Sequence, residues 1–323
     1  MRSTNEGINI DDPDTSPRFD IIKPLVNELK NKKVILVRAP PFSGKTSTAQ
    51  ILEQTLVNAP EFSTHRVIRI SLLWKPNINW DTFGEKWKNI VGVSWEKWID
   101  QCDKIPSILI VDETQLIYED KEVTGNEKGT ADQFWIVIKG LLQEVTGLNI
   151  IMFAAYGYRS SNHTGLLTPV KLPREYCKSL IDINFSSSEL KTYVNKFCSK
   201  YFKLDQQSIL ELYKYIQTVT EGHAGLVRHI LGSIENVLKK QIHDNQLTWE
   251  KIFKYLNSKE FDKSIYSDCR AVPDIDSLNK KQKEFCQVTW EKGKIPYSDN
   301  NKDAVDLIKS GVLMVVEDNM YFN

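Results

Sequence analysis

The sequence predicts an α/β protein: a parallel sheet with helices on both faces, then a helical lid, then a small C-terminal unit of two helices and a hairpin. Three observations predict it. Up to about residue 185, short runs that are apolar throughout alternate with segments of helical periodicity. Such strands are those buried on both faces of a parallel sheet. Beyond Phe185 the strand-like runs stop and helical patterns follow one another. From about residue 278 the pattern changes again, to helix, helix and two short apolar runs about a turn.

Residues 1–18 are polar, carry Pro13 and Pro17 and offer little to bury, so a disordered tail is expected. The core then spans 19–185. A helix over 21–29 leads into a strand at 34–37, a loop, and a helix over 46–56. Further strands are expected at 66–71 (RVIRIS), 107–112 (SILIVD), 149–155 (NIIMFAA) and 180–185 (LIDINF), with a Trp-rich segment at 74–102 and a helix over 133–145. The helical lid is expected over 186–245. Ser186-Ser187-Ser188-Glu189 has the spacing of a capping box at its start, and helices follow over 208–219 and 226–242. Residues 246–323 are expected to be winged-helix-like: helices at 278–290 and 301–311, a short strand at 294–297, and a hairpin turning at Glu317-Asp318-Asn319.

Charge and cysteine usage remove several classes. Lys and Arg number 42, as do Asp and Glu, so no global basic field points to nucleic acid. The five cysteines are widely spaced with no CxxC pair, which supports neither a disulfide framework nor a zinc site and fits a reducing compartment. The N-terminus lacks an apolar signal core, and the longest apolar run, 150–156, is far short of the roughly 20 residues a membrane helix needs. A soluble protein of the cytoplasm or nucleus is expected.

The chemistry is carried by VRAPPFSGKTSTAQ, residues 37–50. A phosphate-binding loop needs inward backbone N–H groups, a lysine for the outer phosphates and a hydroxyl for Mg²⁺, all at a helix N-terminus. Ser43-Gly44-Lys45-Thr46-Ser47 supplies these between a strand and a helix. Lys45 is expected to be partly exposed and to contact phosphate only. Ala39 stands where the motif has its first glycine, which is sterically mild at a strand end. Pro40 and Pro41 remove two donors early in the loop, and Phe42 stands where a glycine-like backbone is needed. A chance strand-turn-helix would explain Gly-Lys-Thr alone. A second motif argues against chance: strand 107–112 ends in Asp112-Glu113, two carboxylates whose burial is costly unless a metal or donor satisfies them. Asp112 in the Mg²⁺ shell and Glu113 polarising a water meet that cost. The turn Thr220-Glu221-Gly222-His223-Ala224-Gly225 joins two lid helices, where Gly222 could touch the base and Arg228 reach the phosphates. An ordinary helix-helix turn is the alternative. His223 and His229 lack metal-ligand company and read as structural.

In order along the chain, RAPPFSGKTSTAQ, ILIVDETQ, MFAAYG, TEGHAGLVRHIL and AVDLIKSGVLMVVEDNMYF resemble the P-loop ATPase domain of Crinkler-type proteins of water moulds and fungi, within the wider AAA-like and STAND P-loop NTPases. The resemblance covers roughly residues 19–322. It implies a P-loop NTPase sheet, ATP or ADP with Mg²⁺ as cofactors, and a phosphate cradle of Pro41, Phe42, Ser43, Gly44, Lys45, Thr46 and Ser47. Thr46 and Asp112 would hold the metal and Glu113 would be the catalytic base, with Lys45 and Arg228 aiding catalysis. The strand at 149–155 would lie between the two motif strands, with Tyr156 or Arg159 as its terminal polar residue. Gly222 would belong to a lid motif in which Ala224 replaces the usual proline. Family members often add a translocation region and a nuclease-like domain. Glu119-Asp120-Lys121 follows Asp112 too closely to be a separate nuclease site, so a regulator without its effector domain is expected, acting on a protein partner and delivered in some relatives into a host cell.

Three functions compete on the sequence. One is a slow ATPase used as a conformational switch, favoured by Asp112-Glu113. Another is a nucleotide-held scaffold, favoured by the lost loop glycines. The third is a winged-helix DNA-binding protein, disfavoured because helix 301–311 sets Asp303 and Asp306 against Lys302 and Lys309. GTP is disfavoured by the lack of an NKxD motif after Asp112.

Overall fold

The computed structural model describes residues 7–74, 80–117, 130–141, 143, 147–155, 172–269, 275–298, 300–310, 312–316 and 319–322. Tyr156, Arg159, the triplet 119–121 and two of the three hairpin-turn residues lie outside them.

The core runs α1 (Phe19–Asn31), β1 (Val34–Arg38), α2 (Lys45–Asn58), β2 (Arg66–Ser71), α3 (Trp80–Val91), α4 (Trp95–Cys102), β3 (Ser107–Asp112), α5 (Thr130–Leu141), β4 (Leu148–Ala154) and β5 (Cys177–Lys178). The five strands form one parallel sheet in the order β2-β3-β4-β1-β5. The two-residue side-chain period of a strand sorts its apolar run between two cores. Val34, Leu36, Leu109, Val111, Ile150 and Met152 pack on one face against Trp87, Trp95 and Trp98, where Trp87 meets Trp98 edge-on with centroids 4.8 Å apart. Ile35, Val37, Ile108, Ile110, Ile151 and Phe153 pack on the other against α1 and α2. Asp112 continues the even-numbered series of β3, so its side chain falls on the α2 face.

The strand expected at 180–185 is a single helical turn instead, over Ile181–Ile183, and the fifth strand is Cys177–Lys178. Asp182 accepts hydrogen bonds from the Ser179 N–H and hydroxyl, which winds the chain. Leu180 and Ile183, three apart, then both point inward while Ile181 is exposed.

The lid comprises α6 (Ser187–Phe197), α7 (Gln206–Thr220), α8 (Ala224–Val237), α9 (Lys239–His243), α10 (Trp249–Leu256) and α11 (Lys259–Asp268). It extends beyond residue 245, because Ile252, Tyr255, Leu256 and Phe261 join the same hydrophobic cluster as Leu212, Ile216 and Leu231. The capping box at its start is only half made. Ser186 accepts from the Glu189 N–H, but the Glu189 carboxylate accepts instead from the Asp20 N–H and faces Arg18.

Residues 7–18, expected as a loose tail, are laid against the core and lid. The Ile8 N–H reaches Gln50, and Asp14 pairs with Lys200 and Tyr201. Arg18 is buried, donates to the Ile183 carbonyl at 2.6 Å and sits 4.0 Å over the Phe185 ring. The segment lacks apolar bulk, and charge pairing and one cation–π contact hold it instead. Burial pulls the Arg18 pKa down to about 10, against the charge of Glu189.

The C-terminal unit runs α12 (Lys280–Lys292), β6 (Ile295–Pro296), α13 (Lys302–Lys309), β7 (Leu313–Val316) and β8 (Asn319–Phe322), with an antiparallel sheet ordered β6-β8-β7. Asn279 and Gln282 make a complete capping box at the start of α12.

Candidate nucleotide site

The loop after β1 is shaped by two left-handed residues. Ala39 stays in strand register, donating to the Ala154 carbonyl at 3.1 Å. Phe42 then takes φ 67 and Gly44 φ 88. The left-handed conformation costs a non-glycine residue about 1 kcal/mol. Phe42 offsets it by seating its ring on α8: a Cβ at Gly225 would lie 2.2 Å from Phe42 Cδ1 and from its carbonyl oxygen. Ser43 is wholly buried and ties the turn by donating to the Pro40 carbonyl at 2.8 Å. Pro41 is exposed on the outer side of the loop and Ser47 is half-buried in the first turn of α2.

Gly44 is the N-cap of α2. No side chain caps this helix and its first turn carries no acid, so the positive end of the helix dipole faces the loop with its leading amides uncapped. Lys45 differs from expectation. It is only 8% exposed, and its ammonium donates to the loop's own carbonyls, at 2.7 Å to Pro40 and 3.0 Å to Ala39. Burial pulls its pKa down to about 8, opposed by the charges of Glu113 and Asp112.

Those carboxylates close the site. Asp112 is 1% exposed, takes a hydrogen bond from the Thr46 side chain and one at 3.0 Å from the Glu113 N–H. Burial pushes its acid up, while the Thr46 and Glu113 hydrogen bonds and the Lys45 charge pull the other way. Glu113 follows at φ 60, which turns the chain out of the sheet. Its carboxylate accepts from the Gln115 side chain, whose oxygen accepts from the Ala155 N–H at 3.0 Å. The parallel register of β1, β4 and β3 thus brings Lys45, Thr46, Asp112 and Glu113 together. A buried carboxylate next to a hydroxyl is a hard oxygen pair that fits Mg²⁺, whereas no group of three or more His, Cys, Asp or Glu suited to a metal occurs among the described residues.

On the lid side, Gly222 takes φ 83, and a Cβ there would lie 2.4 Å from the Phe185 carbonyl oxygen. Its carbonyl accepts from the Phe185 N–H at 2.8 Å, so its clearest task is this close passage of lid and core chains. His223 is 2% exposed and caps α8, its Nδ1 accepting from the Leu226 N–H at 3.3 Å. Its Nε2 is buried without a partner among the described residues, and burial, with the Lys45 charge nearby, pulls its pKa down to about 4. The ring is therefore neutral with its proton on Nε2. It lines a cavity of about 240 Å³ together with Leu180, Ile181, Asn184, Phe185, Thr220 and Glu221. Asn184 Oδ1 is likewise buried and without a partner among the described residues. Arg228 is not brought to the loop. It is exposed, 5.7 Å over the Phe197 ring of α6, and makes no hydrogen bond or ion pair among the described residues.

Sequence reasoning missed Gln115 and Asn184. Gln115 stands inside the ILIVDETQ motif, and its position two residues after Glu113 was the available signal. Asn184 gave none.

A glycine-lysine loop between the first strand and helix of a parallel sheet, with an acid pair ending a second strand two places away, defines the P-loop NTPase fold. Within that fold β4 is inserted between β1, which leads into the lysine loop, and the acid-ended β3. No protein-family model and no curated protein matches the chain. Solved structures of similar fold include a Walker-type ATPase of Pyrococcus abyssi, at 13% identity and TM-score 0.48 over 96% of this chain and 94% of that one. The ORC2 protein of Aeropyrum pernix, in ADPNP and ADP complexes, gives 11% and 0.48 over 98% and 91%. The ORC1 protein of the same organism, in complex with DNA, gives 14% and 0.44 over 93% and 79%. With every score below 0.5, the fold assignment rests on strand order and loop geometry. No described helix is long and apolar enough to cross a membrane.

Proposed function

We propose that this chain binds ATP with Mg²⁺ between the loop 39–46 and the lid, hydrolyses it slowly, and uses the bound nucleotide to set the position of the lid. The single observation that carries this is the convergence of Lys45, Thr46, Asp112 and Glu113 at the uncapped start of α2. Lys45 already points its ammonium into the loop, so exchanging the Ala39 and Pro40 carbonyls for phosphate oxygens needs little movement. Thr46 and Asp112 would hold Mg²⁺, which supplies charge neutralisation at the phosphate oxygens when bound. Glu113 takes the proton of the attacking water. The cavity beside His223 would receive the base: the donor His223 Nε2–H and the acceptor Asn184 Oδ1, both without partners among the described residues, complement a purine edge. The Phe42–Gly225 contact gives the loop a mechanical hold on the lid. The resemblance to Crinkler-type ATPase domains supports a regulatory part, with the winged-helix-like unit or a protein partner receiving the movement.

A nucleotide-held scaffold is the second reading, favoured by the strained Phe42 backbone and its seat on the lid, which would slow ligand exchange. Calorimetric titration with ATP, ADP and GTP, with and without Mg²⁺, followed by phosphate release on the same preparation, separates the two. Binding of ATP in preference to GTP, strengthened by Mg²⁺ and followed by slow release, is expected. Binding without release leaves the scaffold, and no binding sinks both.

A further inference from the structure

Gln115 joins two parts of the site that lie 40 residues apart. Its side-chain amide sits between the Glu113 carboxylate and the backbone N–H of Ala155, the first residue after β4. A backbone N–H only donates, so Ala155 fixes the Gln115 oxygen toward itself and turns the NH₂ end to Glu113. Glu113 has use for such a brace. It follows β3 in a left-handed conformation at φ 60, outside the strand ladder. Its own N–H is taken by Asp112. The hydrogen bond from Gln115 therefore ties its carboxylate to the end of β4, the strand between β1 and β3.

We propose that Gln115 is a positioning residue for Glu113: it holds the carboxylate to the end of β4, so that displacement of that strand end moves the base relative to the phosphates. The catalytic consequence rests on the ATPase reading above, whereas the mechanical link does not need it.

Three substitutions take the link apart. Gln115→Glu can still accept from Ala155 but cannot donate to Glu113. Gln115→Ala removes both ends. Gln115→Asn keeps an amide on a shorter stem. With Mg-ATP, Gln115→Glu and Gln115→Ala are expected to lower kcat about tenfold to a hundredfold, the usual cost of losing a partner that orients a working group. ATP affinity by calorimetry should stay within about twofold, which simple loss of structure would not allow. Gln115→Asn should recover part of kcat. Wild-type kcat in Gln115→Glu, or affinity falling in step with kcat, overturns the proposal. The second readout is amide exchange at Ala155 by NMR. Gln115→Ala should speed it about tenfold, and so should Glu113→Ala, which frees Gln115 without touching Ala155. Unchanged exchange in Glu113→Ala overturns the link. If the wild type binds ATP but releases no phosphate, hydrolysis fails and the exchange measurement alone decides Gln115.

Discussion

Two helix N-termini meet across the cleft, and they are built in opposite ways. α2 begins at Gly44 with no side-chain cap, while α8 begins at His223, whose ring caps it. They approach closely: a Cβ at Gly44 would stand 3.3 Å from that of Ala224. A helix start offers its leading amides to an anion only while no side chain of its own takes them. The glycine leaves α2 open, next to a buried lysine and two carboxylates. The histidine closes α8 and keeps its second nitrogen for the cavity. Helices of equal length therefore present an open N-terminus in one case and a closed one in the other, and the capping residue makes the difference.

The comparison breaks most severely at Lys45. Lys45→Ala should lose ATP binding to the limit of calorimetric detection while circular dichroism and melting stay close to wild type. Unchanged affinity in the folded variant would take α2 out of the site. Glu113→Gln should keep ATP affinity and slow phosphate release about 10²–10⁴-fold, since the amide cannot take a proton. Equal turnover would remove Glu113 as base.

On the α8 side the effects are those of packing and charge. His223 has a folded-state pKa of about 4 against an ordinary 6.5. Between those values the unfolded chain binds the proton that the folded chain refuses, so stability falls as pH drops from 6.5 to 4, by up to about 3 kcal/mol. His223→Asn, which can still cap α8, should flatten denaturant-measured stability across that window. An unaltered slope would mean the ring titrates normally. Gly225→Val forces a side chain into the Phe42 ring and should cost about 1–3 kcal/mol and loosen the lid. A melting temperature equal to wild type would show that Phe42 and Gly225 are not in firm contact. Arg228→Ala should have the smallest effect, below about 1 kcal/mol from one exposed cation–π contact, with the ratio of ATP to ADP affinity unchanged. A changed ratio would bring Arg228 back to the phosphates.

The strand-loop-helix of β1 and α2 and the acid-ended β3 were legible in the sequence because their causes are local. Apolar runs of five or six residues encode buried parallel strands, Ser43-Gly44-Lys45-Thr46 encodes the loop end, and the glycine-like backbone required at Phe42 is what the structure holds. Asp182 turned 181–183 into a helical turn through Ser179, a local bond that the apolar pattern hid. Other features depended on residues far apart in the chain: Glu189 left its own helix for the start of α1. Asp14 and Arg18 fastened a polar segment to lid and core residues more than 160 positions away. Lys45 was expected to be partly exposed and to contact phosphate only, and only the folded loop shows its ammonium enclosed by two carbonyls and set against two carboxylates. Local propensity and periodicity are written within a few residues, so the sequence by itself determined β1 to β4 and the loop between β1 and α2, but not β5. The orientation of a side chain in a closed cleft is set by which distant backbone groups remain to be satisfied. Tertiary structure alone therefore decided which groups Gln115, His223 and Arg228 meet.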